Sequence, residues 1–435
     1  MNAADHHDDT IHRTINAVWR IESARLIAGL VRMVRDVGLA EDLAQDALLA
    51  ALERWPQVGV PDNPGAWLMA TAKHRAIDRM RHNKLAQAKH LQITQALEDA
   101  QEDVVAGIEA TLDDDIGDDL LRLVFIACHP VLSTDAQVAL TLRLLGGLTT
   151  DEIARAFLQP EATIAQRIVR AKRSLEKARA PFEVPGREER AARLASVLGV
   201  IYLIFNEGYS ATSGDHWMRP QLCEEALRLG RVLAGLAPDD AEVHGLLALM
   251  ELQASRTHAR IGPRGEPVLL PDQDRALWNE AQIQRGMSAL EQAQRLGGGA
   301  GYYALQAAIA ACHMRARTAA ETDWERIVLL YDALMQTTPS PIVALNRAVA
   351  VSMAQGPAAG LDALDAIATP AADGALAGYH LLHSVRGELL MKMGNFPEAR
   401  KEIERAIGMT KNLREQELLT EKLKQIEKAA QIRTH

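Results

Sequence analysis

Aromatic side chains make up only 4% of this 435-residue chain, and cysteine occurs three times. Cys128, Cys223 and Cys312 lie far apart and form no CxxC, which argues against a disulfide framework or a clustered thiolate metal site. Core thiols in a reducing compartment are the expectation, with no metal and no cofactor. Strand-like alternation of Val, Ile and Thr is nearly absent. No uninterrupted apolar run reaches the roughly 20 residues of a membrane span. The opening MNAADHHDDT has no apolar leader core, and a cytoplasmic protein is expected. Positive charge is also short, with 48 Lys and Arg against 57 Asp and Glu, a net charge of −9. A nucleic-acid binder with that balance must gather its cations locally, because the whole-chain field repels phosphate. What remains is a chain 48% hydrophobic and 24% charged, rich in alanine and leucine. That mix predicts a soluble all-α protein of about three domains at ~150 residues each.

The most informative stretch is Leu148–Leu175, LTTDEIARAFLQPEATIAQRIVRAKRSL. Thr149 or Thr150 can cap a first helix, with Asp151 and Glu152 in its first turn, where the helix dipole favours negative charge. Ile153, Ala154 and Phe157 give it one apolar face. Leu158, Gln159 and Pro160 break it, since proline removes a donor and restricts the residue before it. A second helix begins near Glu161, with Ile164, Ile168, Ala171 and Leu175 on its inner face and Gln166, Arg167, Arg170 and Arg173 pointing away. The pattern fits a helix-turn-helix whose second helix enters the major groove, and equally a helical hairpin with a solvated basic face.

Upstream, Ile11–Val37 reads as one or two amphipathic helices ending at Gly38. Ala40–Trp55, AEDLAQDALLAALERW, is a helix with Leu43, Ala47, Ala50 and Ala51 inward and Glu41, Asp42, Gln45, Asp46, Leu49 and Glu53 spread over its surface. Pro56–Pro64 is a loop by its prolines and glycine, and Asn63 can cap the next helix. That helix, GAWLMATAKHRAIDRMRHN, carries Lys73, Arg75, Arg79 and Arg81 against one acid, Asp78. Trp67 and this basic row suit phosphate contacts and unpaired bases. Residues 91–119 hold many Asp and Glu and no Lys or Arg, which predicts a solvated linker. An apolar helix at Leu120–Cys128 and another at Asp135–Leu145, capped by Ser133 or Thr134, precede the Gly146-Gly147 break.

Together, DLAQDALLAAL, the proline-rich loop and NPGAWLMATAKHRAIDRMR resemble region 2 of a bacterial sigma factor, and GLTTDEIARAFLQPEATIAQRIVRAKRSL resembles region 4. With no region 1 or 3, the arrangement resembles the extracytoplasmic-function (ECF) sigma factors. The resemblance divides the chain into region 2 (1–84), an acidic linker (85–119), region 4 (120–180) and a helical extension (185–435). It implies that Asp42, Gln45, Asp46, Leu49 and Glu53 dock on the β′ clamp helices of core RNA polymerase, with region 4 toward the β flap. The Val58–Asn63 loop would capture an unstacked −10 base. Lys73, His74, Arg75, Arg79 and Arg81 would read and grip the −10 element. Thr163, Gln166, Arg167 and Arg170 would read the −35 major groove, with Lys172 and Arg173 on phosphates. Ala165 and Leu158 depart from the usual basic residue and turn glycine. The implied function is promoter recognition and opening, with no catalysis of its own. The competing reading is a stand-alone helix-turn-helix regulator with a sensor domain.

The extension is helical throughout, and its later part, clearest over 300–410, repeats. Gly387, Leu390, Gly394, Ala399, Ile403 and Ala406 follow tetratricopeptide (TPR) spacing, and Ala348, Val351, Gly360, Leu364 and Ile367 repeat it. The helix Glu415–Ala430 would cap the array. This half resembles the extension of an ECF subgroup thought to tune activity in place of an anti-sigma factor, either by packing on regions 2 and 4 or by recruiting a protein. Within YLIFNEGY and its sequel, Glu207, Asp215 and His216 could form an acid–base set; a helix ending at Gly208 over packed aromatics is the competing reading, and no catalytic residue is expected.

Overall fold

The computed structural model describes residues 3–91, 116–157, 159–211, 217–263, 265–367, 379–410 and 412–434. Two compact units are present, 1–201 and 202–435. All regular elements among the described residues are helical, apart from an isolated bridge between Ile261 and Pro267.

The first unit contains α1 (Ala3–Val34), α2 (Val37–Val58), α3 (Pro64–Leu91), α4 (Ile116–Ala127), α5 (Thr134–Leu144), α6 (Thr150–Phe157) and α7 (Glu161–Lys177). Gly38 does not end the first helix as the sequence suggests. Arg35 takes the left-handed turn at φ 54°, and the Asp36 carboxylate accepts the Leu39 amide to open α2. Nor does Pro56 end α2, which runs on to Val58 and stops at Gly59, φ 87°. Asn63 caps α3 by accepting the Ala66 amide at 3.1 Å. α1 packs against α2, α3 and α4, and Ile27, Leu30, Trp55, Leu68, Leu123, Leu140 and Leu142 are fully buried.

The helix-turn-helix pair closes with a capping box. Thr149 Oγ1 accepts the Glu152 amide at 3.1 Å, and Glu152 Oε2 accepts the Thr149 amide at 2.8 Å, which satisfies two orphan donors reciprocally. Ile153 and Ala154 of α6 and Ile164, Ile168, Ala171 and Leu175 of α7 are buried, as their spacing predicts. Leu158 lies outside the described residues. Just before α6, Gly147 has φ 66°, and a β-carbon there would sit 2.7 Å from Ser23 Oγ of α1. Only glycine meets both conditions.

Most of the expected acidic linker, 92–115, lies outside the described residues. Its last acid does not behave as solvated linker. Asp119 is buried in α4, 2.6 Å from Arg122 and 3.3 Å from Arg32 of α1. Two guanidiniums offset the cost of burying the charge.

α8 (Arg187–Tyr209) carries the boundary between the units. Its stretch Glu188–Tyr209 is long and apolar enough to cross a membrane by length and composition, and 44% of its apolar window is buried. Charges at both ends, Arg190 and Arg193 at one and Glu207 at the other, keep its uninterrupted apolar run short.

The second unit continues with α9 (Pro220–Leu236), α10 (Ala241–Ala254), α11 (Glu280–Arg295), α12 (Tyr302–Arg315), α13 (Trp324–Thr337), α14 (Pro341–Gln355), α15 (Pro357–Ile367), α16 (His380–Lys392), α17 (Phe396–Met409) and α18 (Leu413–Thr434). Each helix packs on the next, an array of stacked hairpins. Small residues set the spacing: a β-carbon on Gly360 would lie 2.3 Å from that of Ser352. Ala399, Ile403, Ala406, Leu419 and Ile426 share one buried cluster across α17 and α18. All three free cysteines are buried, and burial pushes the thiols of Cys128 and Cys223 up to about 11 and about 12.

Candidate nucleic-acid and polymerase interface

The cations of α3 follow from its helical phase. Leu68, Ala72 and Ala76 turn inward, so Lys73, His74, Arg75, Arg79 and Arg81 fall on the remaining arc. His74, Arg79 and Arg81 are exposed, and Lys73 and Arg75 are half-buried. Arg75 stands 3.9 Å from Asp46 of α2. Trp67 meets Trp55 edge-on at 5.4 Å between centroids, a packing role first. On α7 the buried stripe leaves Thr163, Gln166, Arg170 and Arg173 exposed, with Arg167 and Lys172 half-buried. Arg167 pairs with Asp135 of α5 at 3.2 Å. Along α2, Asp42, Leu49 and Glu53 are exposed, and Gln45 and Asp46 are half-buried. Leu49 is 56% exposed, an apolar side chain left in water between acids.

Glu41 departs from the sequence reading. It was expected on the α2 surface and is instead 2% exposed. Arg143 Nε of α5 donates to its carboxylate at 2.5 Å, Gln45 Nε2 at 2.6 Å, and Lys172 of α7 pairs with its other oxygen. Burial raises the pKa of Glu41, but Lys172 and Arg143 outweigh it and hold the group below the usual carboxylate range. A buried charge survives because its lone pairs are filled. One carboxylate thus bridges the α1–α3 bundle and the helix-turn-helix, and it occupies Lys172. Arg20 of α1 adds a second bridge, to Glu152 of α6 at 2.9 Å.

Family models match this frame in two places: Sigma-70 region 2 over residues 21–85 and Sigma-70 region 4 over 122–175. A relative from Rhizobium meliloti (strain 1021), "Uncharacterized protein R00370", is 42% identical over 390 residues, covering 89% of this chain and 90% of the relative. "ECF RNA polymerase sigma factor SigK" of Mycobacterium bovis (strain BCG / Pasteur 1173P2) is 29% identical over 156 residues, 35% of this chain and 78% of SigK. "Probable ECF RNA polymerase sigma factor SigI" of Mycobacterium tuberculosis (strain CDC 1551 / Oshkosh) is 28% identical over 189 residues, 43% of this chain and 62% of SigI. This chain belongs to the ECF sigma factors, with a C-terminal extension. In the extension, a family of unknown function (DUF6596) matches residues 193–294, and no solved structure matches the chain. ECF sigma factors are transcription initiation factors rather than enzymes, and the family implies core RNA polymerase and promoter DNA as partners.

The extension's acid–base candidates do not assemble among the described residues. Glu207 is paired with Arg219, and Asp215 and His216 lie outside the described residues. No group of three or more His, Cys, Asp or Glu among the described residues could hold a metal. Glu41 and Arg143 were the residues sequence reasoning missed. Glu41 lies well round the helix from the Leu43 and Ala47 stripe, so its burial follows only from the packing of α5 and α7 onto α2.

Proposed function

We propose that this sigma factor directs core RNA polymerase to promoters with −10 and −35 elements and helps to open them. The observation that supports this most is the pair of exposed cationic arcs, one on α3 and one on α7, each in a segment matched by a sigma region. Lys73, Arg79 and Arg81 grip −10 phosphates, while His74 and Arg75 face its bases. Thr163, Gln166, Arg167 and Arg170 read the −35 groove, arginine suiting guanine and glutamine adenine, and Lys172 and Arg173 hold phosphate. Asp42, Gln45, Asp46, Leu49 and Glu53 dock the β′ clamp helices, and the helix-turn-helix module meets the β flap. The domain limits are those of the sequence reading, with the 185–435 extension a regulatory, TPR-like array that packs on the sigma modules or recruits a protein. The compartment this reading requires is the cytoplasm.

Lys172 has to leave Glu41 before it meets a phosphate, so docking on DNA breaks the Glu41 bridge. The test is run-off transcription and pull-down with core polymerase. Wild type retains core and initiates; the triple substitution of Asp42, Gln45 and Asp46 by alanine loses both. A triple variant that transcribes as wild type ends the polymerase-docking assignment and leaves a stand-alone regulator. DNA binding falls about 10³-fold between 50 and 200 mM salt if six or more phosphates are contacted.

A further inference from the structure

Helices α10 and α11 form a hairpin, yet the chain between Ala254 and Glu280 is far longer than a hairpin turn needs. It carries three short 3-10 turns, Thr257–Arg260, Leu270–Asp272 and Arg275–Leu277, where packed helices are ordinarily joined by roughly 2–8 residues. The insert is held down firmly. Arg260 is 7% exposed, stacks over the Tyr209 ring at 3.4 Å and donates to the Tyr209 carbonyl. Gln273 is buried and donates to the Val268 carbonyl at 3.1 Å. Arg275 Nη1 donates to the carbonyls of His313 and Ala316 at 2.6 and 2.8 Å, at the end of α12.

These anchors lay Leu269, Leu270 and Pro271 over the later hairpins and enclose a cavity of about 490 Å³, within the range of small-molecule sites. Its walls are apolar: Leu269 and Leu270 of the insert, Trp324 of α13, Val349 and Met353 of α14, and Leu389 of α16. Its polar groups are few. Glu388 is held by Lys422 at 2.6 Å and Lys392 at 3.1 Å, which leaves this trio one positive charge in excess. Asp272 lies exposed at the edge. Arg275 lines the cavity with its guanidinium 4.4 Å above the Trp278 ring and no carboxylate within ion-pair distance among the described residues. Arg256 adds cationic field from behind. It donates to the Tyr209 hydroxyl at 2.6 Å, and its Nε is buried without an acceptor. His313, packed edge-on against Trp324 at 5.2 Å, is kept neutral: burial, then Arg256 and Arg275, hold its pKa near 4.

We propose that this cavity binds a small apolar monocarboxylate, its chain against Leu270, Trp324 and Met353 and its carboxylate on the Arg275 guanidinium. One planar fork over an indole matches one planar carboxylate. A phosphate would call for several free donors, whereas Lys392 and Lys422 are spent on Glu388 and Arg275 offers only the edge that its two carbonyl contacts leave. The insert that walls the cavity selects a compact molecule over a folded partner. Each methylene buried on the apolar wall adds about 0.8 kcal/mol of transfer free energy, so affinity rises with chain length until the cavity is full.

The test uses the full chain and decanoate, titrated by calorimetry, and requires neither polymerase nor DNA, so its outcome is separate from that of the sigma-factor reading. Saturable binding below about 1 mM is expected, at least about tenfold weaker for 1-decanol and for Arg275→Gln. Met353→Trp, at a rim residue 42% exposed, fills the cavity without touching the anchors and also weakens binding; it carries the test if Arg275→Gln does not fold. No saturable binding to wild type overturns the site. Equal affinity for 1-decanol, or none of the loss in either variant, overturns the assignment of carboxylate and cavity. Tighter binding of a blocked peptide with a free C-terminal leucine than of decanoate overturns the small-molecule class.

Discussion

Each unit of this sigma factor buries one glutamate between two cations, and the two braces differ in reach. In the first unit Glu41 takes Arg143 from 102 positions away and Lys172 from further still. In the second, Glu251, 1% exposed, takes Arg231 and Arg285 from 20 and 34 positions away, on the helices beside its own. The chemistry is the same and the consequence is not. A local brace stiffens a hairpin that apolar packing already builds. A distant brace ties together parts of the first unit that no single hairpin connects, and a competing anion can open it. On the DNA contacts proposed above, phosphate is such an anion and Lys172 the cation it takes.

Removing each glutamate separates the two cases. Glu41→Ala leaves two cations half-buried without their anion and costs roughly 3–5 kcal/mol in denaturant unfolding. It also speeds amide exchange in both α2 and the helix-turn-helix. Glu251→Ala costs less, because Arg231 and Arg285 are about half exposed and regain water, and its faster exchange stays within α9–α11. Exchange spreading equally widely in both variants would erase the distinction.

Acid sharpens the comparison. The folded pKa of His313 is near 4 against 6.5 for the free side chain. The unfolded chain therefore binds a proton first, and the second unit loses stability as pH falls from 6.5 to 4, by up to roughly 3 kcal/mol. The Glu41 brace moves in another window. Its folded pKa lies below 4.5, so its contribution is complete above 4.5 and is lost as pH falls through the lower folded value. His129 in the first unit shifts in the same direction as His313, by burial and Arg193, from a more open site. The second unit is expected to lose near-native exchange protection first, between pH 6.5 and 5. Simultaneous loss would show that His313 is not the group responsible.

The smallest effect concerns a feature of the first unit alone. Thr149→Ala removes the hydroxyl acceptor of the α6 capping box and costs about 1 kcal/mol. The melting of the second unit is expected to be unmoved. A shift there would mean that the two units do not melt independently.

Much of this was legible in the chain. The stripe Ile164, Ile168, Ala171 and Leu175 fixed which face of α7 is buried, and so which face carries Arg170 and Arg173. Thr149 was legible as a cap of α6, with Glu152 read only as an acid in its first turn, and Gly360 and Gly387 marked where hairpin helices touch. These are local regularities, set by the 3.6-residue period and by what a single turn can satisfy. Helix ends were less legible, as at Arg35 and Gly59, because a left-handed residue can close a helix with or without a glycine. Pairing across a hundred positions was not legible at all. Glu41 reads as one more surface acid until Arg143 and Lys172 arrive from the other module. Arg275 reads as one more loop cation until the insert folds back over α13, α14 and α16. Periodicity determined the helices and their inner faces, and resemblance to sigma regions 2 and 4 supplied the modules. The tertiary structure alone decided which charges are buried together and which are left facing a cavity, because Coulomb energy and desolvation depend on distances that no local pattern specifies.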